Sequence, residues 1–231
     1  MNDRNFDLLE RVENTREKAH VNFLKFDLDE IREHFQETVK IIREEIFFSQ
    51  EIYEMGKIQI AENMWRAQIV YLSGALDYFM HEMTKYGVNN IFQGKWEKTE
   101  PYHKLEINME LLETILKEPE KDWIIEFTNN KFSRATMVSY RNVKKHLTLI
   151  GINIQDVANN AFCEQESEEK SLDKIQRRLK ELYARRNRIA HQNDRNHEDA
   201  ELKEISQETV QGFCSDITKI VDAIYTCARE K

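Results

Sequence analysis

Glycine and proline are scarce in this chain, six and two among 231 residues. That scarcity excludes collagen-like and loop-rich architectures and points to long helices joined by few tight turns. Cysteine is scarce as well. Cys163, Cys214 and Cys227 lie far apart, form no paired framework and have no metal-type spacing, so a reducing, cytoplasmic location is expected. No apolar run approaches the roughly 20 residues of a membrane span. The opening stretch, MNDRNFDLLERVENTREK, is charged throughout, unlike the apolar centre of a signal peptide. A glycine-rich phosphate loop is missing, which removes the usual ATPase reading. Positive charge is not in excess either: the formal net charge of −8 argues against non-specific coating of nucleic acid.

What is present is apolar residues at helical spacing, in a composition 40% hydrophobic and 33% charged. Ile31, Phe35, Val39, Ile42 and Ile46 predict an amphipathic helix from about Asp29 to Met55. A second is expected from Ile58 to Tyr86, closed by Gly87. Residues 88–104, with Gly94 and Pro101, read as an irregular connection. Shorter helices are expected over 105–117, 121–128 and 134–149, the last stopping at Gly151. Residues 152–168 read as partly helical, and their acidic end, CEQESEE, loses periodicity. Two long helices follow, Ser171–His191 and Asp199–Ala228, the latter with Phe213, Ile217, Ile220, Val221, Ile224 and Tyr225 turned inward. Strand alternation is not convincing anywhere. The fold class is therefore all-α: a single helical bundle over 29–231, with an N-terminal helical extension over 1–28 and an inserted middle segment. The first long helix could also serve as a dimer or partner surface.

One stretch, ELYARRNRIAHQNDRNHED at 181–199, does not fit a plain bundle. Leu172, Ile175, Leu179, Leu182, Tyr183, Ile189 and Ala190 form one stripe, and Arg186 points from its middle. An unpaired guanidinium in a core is costly, so Arg186 needs a partner or a cleft. The same helix is basic. Lys174, Arg177, Arg178, Lys180, Arg185, Arg186, Arg188 and Arg195 stand against Glu181 and Asp194, eight charges against two, a local balance of +6. Asn187 and His191 are four apart and share a side, while Arg186 lies about 140° and about 7.5 Å from His191. A histidine can pass protons near neutrality, an arginine fork suits a phosphate, and an asparagine can orient either. Together they could drive a ribose 2′-hydroxyl onto its neighbouring phosphate without metal. Base and acid would then need two histidines, which a two-fold dimer supplies. Arginine and histidine near a helix end also commonly just serve its last carbonyls and dipole.

RNRIAH, Arg186 to His191, resembles the signature of the HEPN superfamily, and the "RRN.IAH" form resembles its RiboL-PSP-HEPN branch. AENMWRAQIVYLSGALDYFMHEMTKYG (61–87) is similar to that branch's early helix. SRATMVSYRNVKKHLTLIGI (133–152) is similar to its middle helix. The resemblance implies paired helical domains whose two motifs face one cleft, many of them metal-independent RNases in phage defence, toxin–antitoxin pairs or RNA processing. It gives Arg186 the phosphate, His191 the proton transfer and Asn187 the positioning of His191 or the RNA. Asp77 matches the acidic residue of the early helix, beside Arg66, Ser73, Gly74 and Thr84, and would pair with Arg186. Arg178, Arg185, Arg188 and Arg195 would bind RNA. Asn193 departs from the tyrosine that some toxin members carry for AMP attachment, so regulation by that route is not expected.

The expectation is thus a metal-independent, cofactor-free endoribonuclease acting as a homodimer, a phage-defence or toxin effector with an inhibitory or defence-system partner protein and no membrane. Two alternatives stay open: a non-catalytic module binding RNA, a nucleotide or a protein, and a plain helical interaction subunit. His197 completes no zinc site. Trp65, Trp96 and Trp123 read as core or edge aromatics and His20 and His34 as surface. Arg141, Lys144, Lys145 and His146 form a second basic cluster, either a solvated helix face or an extension of the RNA surface.

Overall fold

The computed structural model describes residues 25–117, 122–162 and 169–231. Among them are nine helices and no strand beyond an isolated bridge between Arg195 and Leu202, so the protein is all-α. Most of the N-terminal extension expected over 1–28, the acidic segment 163–168 and Cys163 lie outside the described residues. No described helix is long and apolar enough to cross a membrane.

Helix α1 (Leu28–Glu54) opens with a reciprocal cap. Asp27 Oδ1 accepts from the Glu30 amide (2.9 Å), and Glu30 Oε2 accepts from the Asp27 amide (2.7 Å). The predicted stripe of Ile31, Phe35, Val39, Ile42 and Ile46 is its buried face. It lies along α2 (Ile58–Phe92), whose Trp65, Ile69, Leu72, Leu76, Phe79 and Met83 form the centre of the core.

Helix α2 does not close at Gly87 but runs on to Phe92, so part of the expected irregular connection is helix. Gly87 has another duty: a Cβ there would stand 2.6 Å from Ile150 Cβ and Cγ2. The residue admits a neighbouring segment rather than ending a helix. The left-handed turn falls later, at Gly94 (φ 73°). Residues 93–99 are irregular as expected, and a short helix α3 (Glu100–His103) follows, with Thr99 capping it through the Tyr102 amide.

Helices α4 (Met109–Lys117), α5 (Trp123–Phe132), α6 (Tyr140–Leu149) and α7 (Ile154–Phe162) form the middle segment. Gly151, with φ 74°, follows α6 where the sequence predicts a stop. Helix α8 (Ser171–Gln192) packs on α2, α6, α7 and α9. Helix α9 (Gln207–Arg229) begins eight residues later than expected, capped by Ser206, because 193–205 folds back as a loop. Its predicted apolar face is buried.

Two histidines are placed otherwise than expected. His34 is half-buried, edge-on to the Phe26 ring. His146 is 3% exposed and no part of a basic surface, its Nδ1 3.3 Å from Thr84 Oγ1 and its ring edge-on to Phe132. Burial first, then Lys145 and His81, lowers its pKa to about 4, so it is neutral at physiological pH. Trp65 and Trp96 are buried, and Trp123 packs between Phe92 and Phe127.

Candidate functional site

The last turns of α8 carry Arg186, Asn187 and His191. Arg186 shares a face with the buried Ile175, Leu179 and Leu182, but it is only half-buried. Its Nη1 donates to Asn187 Oδ1 at 3.0 Å, and its other donors have no protein partner among the described residues. His191 points nearly opposite to Leu182, nine residues on at about 100° each, and is exposed without a protein partner there. Arg186 and Asn187 thus form one fixed unit beside a free imidazole.

The pairing of Arg186 with Asp77 is not found. Asp77 Oδ1 accepts from the Met137 amide at 2.6 Å, and its Oδ2 lies 3.7 Å from His81 Nε2. The reason is one of register. Arg66 marks the level at which α2 meets the end of α8, and Asp77 stands eleven residues further, about 16 Å along the axis. Its carboxylate anchors the segment leading into α6.

The buried arginine of α8 is Arg185, one residue earlier and 8% exposed. Its Nη2 lies 2.7 Å from Asp194 Oδ2 and donates to the Glu204 carbonyl at 2.9 Å and the Lys203 carbonyl at 3.2 Å. Burial lowers its pKa from the ordinary arginine value, and Asp194 opposes that shift. Arg66 joins the same carboxylate through Nε at 2.9 Å and donates from Nη2 to the Lys203 carbonyl at 2.9 Å. The loop 193–205 covers this side of α8, which is why Arg185 and not Arg186 is enclosed. Arg185 is therefore withdrawn from any RNA surface. So is Arg178, which bonds Asp216 and Glu181 and lies with its guanidinium 4.4 Å above the Phe213 ring.

Arg188 and Arg195 do face solvent, though Arg195 Nη1 donates to the Ala200 carbonyl at 2.6 Å. With Gln192, Asn196, His197 and Lys203 they line an open pocket of ≈ 380 Å³ whose walls also include Asp199 and Glu201. Arg186 and His191 do not line it. Of the other basic residues, Arg177 is held by Glu169 and Glu181, whose hydrogen bonds raise its pKa, while Lys180 is exposed. Three of the eight cations, Arg177, Arg178 and Arg185, are thus ion-paired and Lys174 lies over the Phe162 ring, leaving Lys180, Arg186, Arg188 and Arg195 as the outward cations.

Asn193 and Asp194 take φ of 54° and 59°, a left-handed pair that ends α8. Asparagine and aspartate tolerate this conformation best after glycine. That dipeptide after a helix pattern, and an arginine inside the apolar run of α2, were the available signals for the Arg66–Asp194–Arg185 cluster. Among the described residues no three His, Cys, Asp or Glu side chains gather as a metal site.

Together the fold and this helix end define an all-α protein with an arginine–asparagine–histidine group at a helix terminus. The chain matches no known protein family, no curated protein and no solved structure.

Proposed function

We propose that the protein is a metal-independent endoribonuclease of HEPN type, acting as a homodimer in phage defence or as a toxin. The observation that carries this reading is the unit at the end of α8. Arg186 is oriented by Asn187 with most of its donors unclaimed, and His191, one turn beyond Asn187, offers an unclaimed ring to solvent. Arg186 would hold the scissile phosphate and the charge that builds on it. One His191 would take the proton from the ribose 2′-hydroxyl. The second copy's His191 would protonate the departing 5′-oxygen, leaving a 2′,3′-cyclic phosphate and a 5′-hydroxyl. Arg188 and Arg195 would hold flanking phosphates.

The dimer is supported by an open apolar face on α2. Ile60, Tyr71 and Tyr78 are exposed, and a Cβ added to Gly74 between them would meet nothing within 4 Å. This face lies roughly 100° round α2 from Arg66, so it flanks the side that meets α8. Exposed apolar faces of this kind mark association surfaces.

The test is cleavage of total cellular RNA in EDTA by wild type, Arg186→Ala and His191→Ala. Both variants should keep the helical circular dichroism signal and the dimer mass of the wild type while losing cleavage by at least about 100-fold. Equal cleavage by all three proteins would refute the assignment. A second reading is a non-catalytic module that binds RNA through the same helix end. It is favoured by the roughly 140° between Arg186 and His191 within one chain, which keeps the pair from converging on one phosphate. Retention of RNA without product would select it.

A further inference from the structure

Helix ends fray, and His191 is the penultimate residue of α8. A proton-transfer group cannot tolerate that, since misplacement by about 1 Å can cost about 100-fold in rate. The structure contains a device that opposes fraying at this one end. Asp194, three residues after His191, is fully buried and joined through Oδ2 to Arg66 of α2 and Arg185 of α8. Both guanidiniums also donate to the Lys203 carbonyl. Asp194's own backbone closes the ring, its amide donating to the Arg188 carbonyl at 3.1 Å and its carbonyl accepting from Lys203 at 3.0 Å. Glu62, 3.4 Å from Arg66 at the rim, balances the second positive charge.

Apolar side chains could close such a loop at lower desolvation cost, and buried ion clusters are often no more stabilising than their apolar replacements. What the ion cluster adds is direction. Two guanidiniums that meet at Oδ2 and also hold the Lys203 carbonyl constrain the loop more narrowly than an apolar contact, which tolerates sliding.

We propose that Asp194, with Arg66 and Arg185, is the positioning group of the reaction: it locks the last turn of α8 and thereby fixes where His191 stands relative to Arg186. This rests on the ribonuclease reading, because the position of His191 matters only if it moves protons. None of the three residues need touch the substrate.

The test uses the full chain with Asp194→Asn, which keeps the side-chain volume and tolerates the left-handed backbone but removes the charge. If that variant does not fold, Arg66→Met/Asp194→Asn takes its place, since it removes one charge of each sign. Amide hydrogen exchange is read residue by residue, and RNA cleavage is read as kcat and KM. The expected result is exchange faster by roughly 100-fold at 189–195 and 203–205, with α1 and the centre of α2 unchanged. Beside it, kcat should fall at least about tenfold and KM should stay within about twofold. Unchanged local exchange in a folded variant would overturn the proposal. So would faster local exchange with unchanged kcat, and so would uniformly faster exchange with activity tracking the folded fraction. A wild type that cleaves no RNA would sink the ribonuclease reading and, with it, the positioning role. Local exchange would then still decide whether the triad holds the helix end.

Discussion

His146 makes the stability of the protein depend on pH in a window set by its burial. In the fold its pKa is lowered to about 4, against an ordinary 6.5 in the unfolded chain. Between those values the unfolded chain binds a proton that the folded protein refuses, so stability falls as pH drops from 6.5 towards 4. The full loss is about 3.5 kcal/mol, a separation of about 2.5 pH units at about 1.4 kcal/mol per unit. At pH 5 about 2 kcal/mol of it has been lost. The perturbation is His146→Gln, which keeps a polar partner for Thr84 and cannot titrate. The assay is urea unfolding of both proteins at pH 7.5 and pH 5. Titrating groups remote from His146 cancel in the comparison. Wild type should lose about 2 kcal/mol more than the variant across this interval. Equal losses would refute the reasoning and return His146 to the exposed basic cluster.

Other outcomes follow from single contacts. Gly87→Ala should destabilise by about 1–2 kcal/mol in a denaturant titration, because overpacking against Ile150 outweighs the gain in helix propensity. Gly74→Ala, where nothing is near, should instead gain about 0.5–1 kcal/mol in the monomer. Asp77→Ala should cost about 1–2 kcal/mol through loss of the Met137 amide bond while cleavage stays within about threefold of wild type. A complete loss of activity in the folded variant would restore Asp77 to the site. Arg188→Ala/Arg195→Ala should weaken RNA binding uniformly across sequences, and the slope of log K against log salt should shrink by about 1–2. An unchanged slope would remove both from the interface.

How far the sequence could be read depended on whether a residue's neighbours were local. Ile31 to Ile46 on α1 and Phe213 to Tyr225 on α9 repeat at helical spacing, and their burial follows from that spacing alone. Gly151 stops α6 as its position suggests. Gly87 looked the same and was not, because its demand comes from Ile150, 63 positions away in the chain. The candidate site divides along the same line. That Asn187 and His191 share a side of α8 is local geometry. Which arginine is enclosed is not: the 193–205 loop decides it, and it chooses Arg185 over Arg186. Asp77, which the resemblance places at the site, and Arg178, which the basic run of α8 places there, are likewise claimed for the fold by partners distant in sequence, Met137 and Asp216.

In the proposed reaction His191 moves a proton from a ribose 2′-hydroxyl. The most direct measurement is made in EDTA, on a short RNA that the protein cuts and on the same RNA with a single 2′-deoxy sugar at the cleavage position, with product ends analysed. The expected result is a 2′,3′-cyclic phosphate and a 5′-hydroxyl from the first and no cleavage at that position in the second. A 5′-phosphate product, or cleavage at the deoxy sugar, would contradict it.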